Sequence, residues 1–337
     1  MQQEIRFATF NVCNLAPPGA KLYENLEPST PEEYEAKIAW TARQIDMLGA
    51  DVIGFQEVFS QAALAEALSR TRRYCEAIHV GFDPDPGADK LTPSVALVSR
   101  LPLAAAPVSF PYFPAGIAMP PGNRDPERFT RAPLHAPIEL CPGLIVDVVV
   151  VHLKSRRPDY RANDTGDDPQ LFALASLRSL IRRGTEAAAL RVLLSKLGRE
   201  NRRPRVVLGD FNDVADAVTT GIVLGIGAPS GDRLYDACQL QRRQDRLRHV
   251  GFSNLHEGQY TTIDHILVSE EFNAELPGAL GEIVDVVYLN DHLDLGLPEA
   301  SDHGQVLARL RLAERFRDTE ASATKPGGPY IPPYGDA

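Results

Sequence analysis

Apolar runs of strand length recur along this chain and alternate with segments of helical spacing; that alternation confines the fold more than any other feature. Residues 5–11 alternate Ile5, Phe7 and Thr9 against Ala8 and Phe10, which reads as a strand. Residues 51–55 form a short buried run, and further strands are predicted at 95–99, 145–152, 206–208, 263–268 and 306–310. Between the first two, Thr30-Pro31-Glu32-Glu33 has the form of a capping box with proline in the first turn. Ile38, Ala42, Ile45 and Leu48 then recur at helical spacing, and Gly49 supplies a stop. A second helix is expected at 61–70 and a long one at 169–197, with a possible break at Gly184. Segments 108–133, 163–168 and 290–301 read as irregular. The fold class is α/β.

The 337 residues, 44% of them hydrophobic, can bury a sizeable core. No internal repeat or linker divides them, so residues 1–315 are read as one domain. Residues 316–337 carry Pro326, Pro329, Pro332 and Pro333 and read as an extended or disordered tail. Cys13, Cys75, Cys141 and Cys238 are widely scattered, without the close spacing of a zinc site, and read as reduced thiols. The N-terminus shows no basic start followed by an apolar run, which points to a cytoplasmic location. No stretch approaches the length of a membrane span, and no obligate protein partner is evident. The formal charge of -10 disfavours long phosphate backbones unless basic residues gather locally.

Chemistry-bearing residues cluster at the ends of the predicted strands. Asn11 closes the first and Glu57 follows the second; His152 ends 145–152, and Asp210 and Asn212 follow 206–208. Asp264 and His265 sit at the start of 263–268, and Asp302 and His303 precede 306–310. Singly, most have an ordinary explanation: Asn11 as a turn residue, Glu57 as a helix cap, His152 as a satisfied buried histidine. Gly209-Asp210-Phe211-Asn212 directly after an apolar strand is more specific. The set suits phosphoester hydrolysis. A hard cation prefers oxygen ligands, which Glu57 can supply with help from Asn11 and Asp302. Asp210 suits the base that activates water, and Asn212 can donate to a phosphoryl oxygen without adding charge. His152 and His303 can donate as well, with Asp264 fixing an imidazole tautomer.

In these motifs the chain resembles the endonuclease/exonuclease/phosphatase superfamily, the DNase I-like group. The matching stretches are 7–11, 51–57, 151–155, 209–212, 263–269 and 301–303, which together span nearly the whole chain. The resemblance implies a four-layer α/β sandwich of two packed, mainly antiparallel sheets flanked by helices. It implies dependence on Mg2+ or Mn2+ and in-line attack by water on a phosphodiester or phosphomonoester. It makes Asn11, Glu57 and Asp302 metal-site residues, Asp210 the water-activating base, and His152, Asn212 and His303 phosphate contacts, with Asp264 orienting His303. His265 stands where many relatives carry an aromatic residue; it is either an additional group at the site or a polar strand residue. Lys154 and Arg131 are candidate substrate contacts. Arg182-Arg183 reads as a solvated helix face, and Asn14 has no assigned role. Segment 108–131, with Tyr112, Phe113, Arg124, Arg128 and Phe129, is either a rim of the site or a surface insertion. The expected partner is a phosphoester substrate, a nucleic acid or a small phosphodiester. A phosphomonoesterase, a lipid- or inositol-headgroup phosphodiesterase and a noncatalytic binding protein of the same fold remain as alternatives.

Overall fold

A computed structural model describes residues 3–83, 91–120, 126–161, 164, 167–227, 232–241, 251–256 and 258–316. Arg124 and the tail beyond residue 316 lie outside the described residues. The strands, in chain order, are β1 (Glu4–Leu15), β2 (Val52–Val58), β3 (Ile78–Gly81), β4 (Ser94–Ser99), β5 (Val108–Ser109), β6 (Leu134–Cys141) and β7 (Leu144–His152), followed by β8 (Arg205–Asp210), β9 (Leu234–Asp236), β10 (Asn254–His256), β11 (Gln259–Thr261), β12 (Asp264–Ser269), β13 (Gly281–Leu289) and β14 (Gln305–Leu312). Two six-stranded sheets carry the fold. One has the order β13-β14-β1-β2-β4-β3 and the other β5-β6-β7-β8-β12-β9; β10 and β11 form a separate hairpin. Each large sheet is mixed, with one parallel pair (β1 with β2, β7 with β8) among antiparallel neighbours.

Helices α1 (Pro31–Leu48) and α2 (Gln61–Ser69) cover the first sheet, and α3 (Pro169–Asn201) and α4 (Val218–Leu224) the second; a short α5 (Ala237–Leu240) follows β9. This is the four-layer α/β sandwich. The capping box forms as expected: the Thr30 side chain accepts from the Glu33 amide, the Glu33 carboxylate accepts from the Thr30 amide, and Gly49 closes α1 in the left-handed region. α3 runs unbroken through Gly184, because its buried face of Arg183, Ala187, Leu190 and Leu194 continues past that point.

Strand alternation sorts the core into layers. Val146, Val148 and Val150 of β7 face the other sheet, with Val206 and Leu208 of β8, Ile266 and Val268 of β12, and Ile5 and Phe7 of β1. Val149, Val151, Val207 and Leu267 face the helices. The sheets approach closely at Gly54: a Cβ there would sit 2.9 Å from Leu208 Cβ and 3.1 Å from Val150 Cγ1. Gly54→Ala should therefore overpack this seam and cost about 1–3 kcal/mol, read from the urea-unfolding midpoint at unchanged slope.

At the end of the second sheet far from the residues of interest, Asp147 meets His135 Nε2 at 2.9 Å and accepts from Asn201 Nδ2 at 2.9 Å. Burial pushes this carboxyl up, but those hydrogen bonds outweigh it and hold Asp147 below the usual aspartate range. Its stabilising contribution is complete above the ordinary value of about 3.9 and is lost as pH falls through the depressed folded value. Asp147→Asn should lower the unfolding midpoint at neutral pH, with the gap to the unsubstituted protein closing as the buffer is taken below the ordinary aspartate range.

Candidate active site

The alternation that builds the seam also aims the polar residues at its end. Continuing the inward series of β7 (146, 148, 150) gives His152; that of β8 (206, 208) gives Asp210; that of β12 (268, 266) gives Asp264. Strand register sets these three side by side, Asp210 pairing with both His152 and Asp264. On the opposing sheet, Phe7 and Ile5 put Asn11 on the same inward face.

Glu57 needs a different device. Regular alternation would send it with Phe55 towards the helices. Instead Glu57 takes φ 58, the β2 register shifts beside it, and Cys13 (φ 51) and Asn14 (φ 58) make a matching bulge in β1. The two distortions face each other. Glu57 Oε1 accepts from Asn11 Nδ2 at 3.3 Å, and Oε2 accepts from the Asn14 amide at 3.1 Å.

The centre is tightly connected. Asn11 Nδ2 lies 3.1 Å from Asp210 Oδ2 and 3.5 Å from His303 Nε2. His303 Nδ1 donates to Asp264 Oδ2 at 2.8 Å, and its Nε2 faces Asp210 Oδ2 at 3.9 Å. His152 Nε2 is 3.4 Å from the same Asp210 oxygen. Asn212, at φ 51, turns its amide N–H onto Asp210 Oδ1 at 2.7 Å, while its side chain donates to Leu153 O at 3.0 Å. Ser301 anchors the turn carrying His303 by donating to Asn11 O at 2.6 Å and accepting from the His303 amide at 3.0 Å.

Burial and charge set the proton affinities. Burial, then the neighbouring Asp264, pushes Asp210 up to about 7. Burial opposes a charged His303, but Asp264 and Asp210 outweigh it and hold the imidazole well above its ordinary value. Burial, reinforced by Arg131 and His303, holds His152 well below that value. Asp210, Asp264 and His303 place ligand atoms within 4.8 Å of one another. Within this group His303 Nδ1 and Asp264 Oδ2 are hydrogen-bonded to each other, while the buried Asp264 Oδ1 has no hydrogen-bond partner among the described residues.

Asp302 is exposed beside the buried His303, and the Cys13 thiol, pushed up by burial and then by Asp302 and Glu57, lies next to it. Arg131 donates from Nη1 to Leu153 O at 3.3 Å, the carbonyl that also receives Asn212. Lys154 does not point into the site: its ammonium lies 3.2 Å from Arg157 O and 3.3 Å from both Ser155 O and Ser179 Oγ, which ties down the loop after β7. His265 is 2% exposed and sits one residue out of phase with Asp264, on the helix-facing side of β12. Arg182 and Arg183 are not a solvated face: both are buried, paired with Glu186 and Asp213.

Several contributors were not anticipated. Asp213, directly after the Asn212 motif, collects Arg156, Arg183 and Thr219. Glu186 accepts from the backbone of Thr130 and of Lys154, bracing the segments that carry Arg131 and His152. Lys37 on α1 donates to Ala300 O at 3.2 Å beneath the Trp40 ring, close to Glu57 and Asp302. Adjacency to the motif could have flagged Asp213; no local pattern marks the other two.

A family model for the endonuclease/exonuclease/phosphatase family matches residues 8–303. The chain belongs to that family. No curated protein matches its sequence. Among solved structures, the catalytic domain of human Nocturnin with bound sulfate is similar at TM-score 0.59 and 17% identity, covering 93% of this chain and 96% of that one. A mannosyl-6-phosphatase of Bacteroides thetaiotaomicron is similar at TM-score 0.57 and 16% identity, covering 91% and 99%. The D. rerio TDP2 complex with a single-strand DNA product is similar at TM-score 0.55 and 14% identity, also covering 91% and 99%. At these identities the structures establish a shared fold. Members of the endonuclease/exonuclease/phosphatase family are hydrolases of phosphoesters, and on that ground this chain is a phosphoester hydrolase. Asp264→Asn should keep the shape of the site while weakening its hold on the His303 imidazolium; turnover of bis-nitrophenyl phosphate should fall by about 10²–10⁴-fold with the fold intact by circular dichroism.

Proposed function

We propose that this protein is a divalent-metal-dependent phosphodiesterase of nuclease-like chemistry that uses an Asp210-activated water. The observation carrying this reading is the meeting of Asn11, Glu57, His152, Asp210, Asn212, Asp264 and His303 at one end of the seam between the sheets.

The residues fit Mg2+ or Mn2+. Glu57 offers a carboxylate whose oxygens accept only from neutral groups, the Asn11 amide and the Asn14 N–H, and among the described residues no cationic side chain forms an ion pair with it. The buried Asn14 Oδ1 has no hydrogen-bond partner among the described residues. These are hard oxygen donors, the kind such cations select. Glu57, Asn11 and Asp302 would hold the ion. When bound, it would neutralise charge on the phosphoryl oxygens and lower the pKa of coordinated water.

The chain's own residues account for the remaining steps. Asp210, raised towards neutrality, accepts the proton of the attacking water at Oδ2. His303, kept protonated by Asp264, donates from Nε2 to a phosphoryl oxygen. His152, kept neutral, serves as an uncharged donor to the phosphate, with Asn212 beside it. Arg131 adds a cation next to both, held by Leu153 O and forming no ion pair among the described residues. Its buried Nε has no hydrogen-bond partner among the described residues, which suits a contact completed by substrate.

The similarity to a mannosyl-6-phosphatase supports a second reading, a phosphomonoesterase. Plasmid DNA, RNA, bis-nitrophenyl phosphate, sugar phosphates and inositol or lipid phosphates should separate the two. Turnover confined to monoesters, or to lipid and inositol substrates, would sink the nuclease-like assignment. EDTA should abolish activity and added Mg2+ or Mn2+ restore it. Asp210→Ala should reduce the rate by at least about a hundredfold. Activity that survives both chelation and this substitution contradicts the mechanism.

A further inference from the structure

The end of β8 and the turn after it hold two residues of the proposed chemistry, Asp210 and Asn212, and Asn212 occupies the left-handed region, which asparagine tolerates better than most residues. Beyond the bonds of Asn212 itself to Asp210 Oδ1 and Leu153 O, the contacts that hold the turn converge on the next residue. The Asp213 carboxylate accepts from Arg156 Nη2 at 2.5 Å, Arg183 Nε at 3.0 Å and Thr219 Oγ1 at 2.6 Å, groups from the loop after β7, from α3 and from α4. Arg156 Nε also donates to Asn212 O at 3.2 Å. A further contact comes from inside the second sheet: His265 Nε2 lies 3.0 Å from Asp213 O.

His265 is fully occupied. Its Nδ1 lies 2.9 Å from Asp236 Oδ2, and Asp236 Oδ1 accepts from the Cys238 amide at 2.9 Å, capping α5. A backbone carbonyl can only accept, and so can a carboxylate. Both ring nitrogens therefore donate, and the buried ring is an imidazolium paired with Asp236. Burial opposes that charge, but Asp236, Asp213 O and Asp264 outweigh it and raise His265 above its ordinary value. Its edge contact with the buried Phe211 ring, 5.4 Å between centroids, seats it against the middle of the turn.

We propose that His265, charged and held by Asp236, is a positioning residue for the Asp210–Asp213 turn: by donating to Asp213 O it fixes the left-handed Asn212 and so the aim of Asn212 and Asp210 at the phosphate. It contacts no substrate. The proposal rests on the hydrolase reading above only for its kinetic consequence; the protonation state is independent of it.

Two variants separate positioning from stability. In Asp236→Asn, Oδ1 can still accept from Cys238 N and the new amide can donate to Nδ1, leaving a neutral His265 whose Nε2–H still reaches Asp213 O. In His265→Gln, the side chain cannot serve Asp236 and Asp213 O together. Both should lower the melting temperature. On bis-nitrophenyl phosphate with Mg2+, His265→Gln should lose about 10–100-fold in kcat, while Asp236→Asn should stay within about threefold of the parent. The Mg2+ concentration for half-activation should be unchanged in both, since Glu57 and Asn11 belong to the other sheet. Losses in kcat that simply track melting temperature across the two variants overturn the proposal, as does a folded His265→Gln of parental kcat. Nitrogen-15 spectra of the histidine rings in the unsubstituted protein give a readout that needs no activity. Two protonated nitrogens at His265 at neutral pH are expected; one bare nitrogen refutes the double donor. A protein that cleaves none of the phosphoesters but shows this imidazolium would discredit the hydrolase reading alone.

Discussion

Two hydrogen bonds join the sheets where their apolar seam ends, Asn11 to Asp210 and His303 to Asp264, and the arrangement of the site depends on them. Asn11 belongs to the first sheet and His303 precedes its strand β14, whereas Asp210 and Asp264 belong to the second. Such groups are costly to bury alone. Here Asp210 and Asp264 end the inward rows of β8 and β12, whose other inward residues are valine, leucine or isoleucine, and Asn11 continues the inward row of Ile5, Phe7 and Thr9 on β1. The apolar seam brings the sheets close enough for these bonds to form. The polar row in turn closes the open end of the seam with groups that satisfy one another across it. Gly54 serves the same closeness from within, by leaving room for Leu208 and Val150.

Much of this was legible from period alone. A two-residue period carried from Val206 and Leu208 to Asp210 gives both the strand and the direction of its terminal side chain, and the same holds for His152 and Asn11. The capping box at Thr30 was readable because it is a local hydrogen-bond pattern. β6 and β13 were missed: Pro137 interrupts the first, and Glu282 and Asp285 break the apolar run of the second, although Asp285 is matched by Arg309 across the sheet. Arg182 and Arg183 were misjudged for the same reason. Their partners, Glu186 one turn on and Asp213 on another element, make a buried face look like a solvated one in sequence. His265 could have been placed outside the site by parity, since a residue adjacent to Asp264 in a regular strand must face the opposite way.

Where period gives the wrong direction, the backbone is distorted. Cys13, Asn14, Glu57 and Asn212 are four of the five non-glycine residues with positive φ among the described residues, and all four lie at the site. Each such conformation carries an energetic cost and persists only where surrounding contacts over-determine it. The contacts here are explicit: Asn14 N–H to Glu57, Cys13 N–H to Asn11 Oδ1, Asn212 N–H to Asp210, and the clamp on Asp213. Glu57 reaches the seam only through this distortion. That is why a sequence can mark the residue as a candidate without showing how it gets there.

Charge explains why the imidazoles differ so sharply. Glu57, Asp210, Asp264 and Asp302 crowd one end of the sandwich, and a second positive imidazole there would be favoured if carboxylates alone decided it. His303 follows that rule because Asp264 holds its Nδ1 directly. His152 does not, because it is buried without a hydrogen-bond partner at Nδ1 and lies beside Arg131 and His303, both cationic. One imidazole can therefore give a charged hydrogen bond and the other a neutral one to the same phosphoryl group. Asp210, between them, is pushed towards neutrality by burial and by Asp264 more than His303 pulls it down. A carboxylate of that affinity, next to a donor that stays charged and another that stays neutral, is suited to take a proton from water without surrendering its own place to either imidazole.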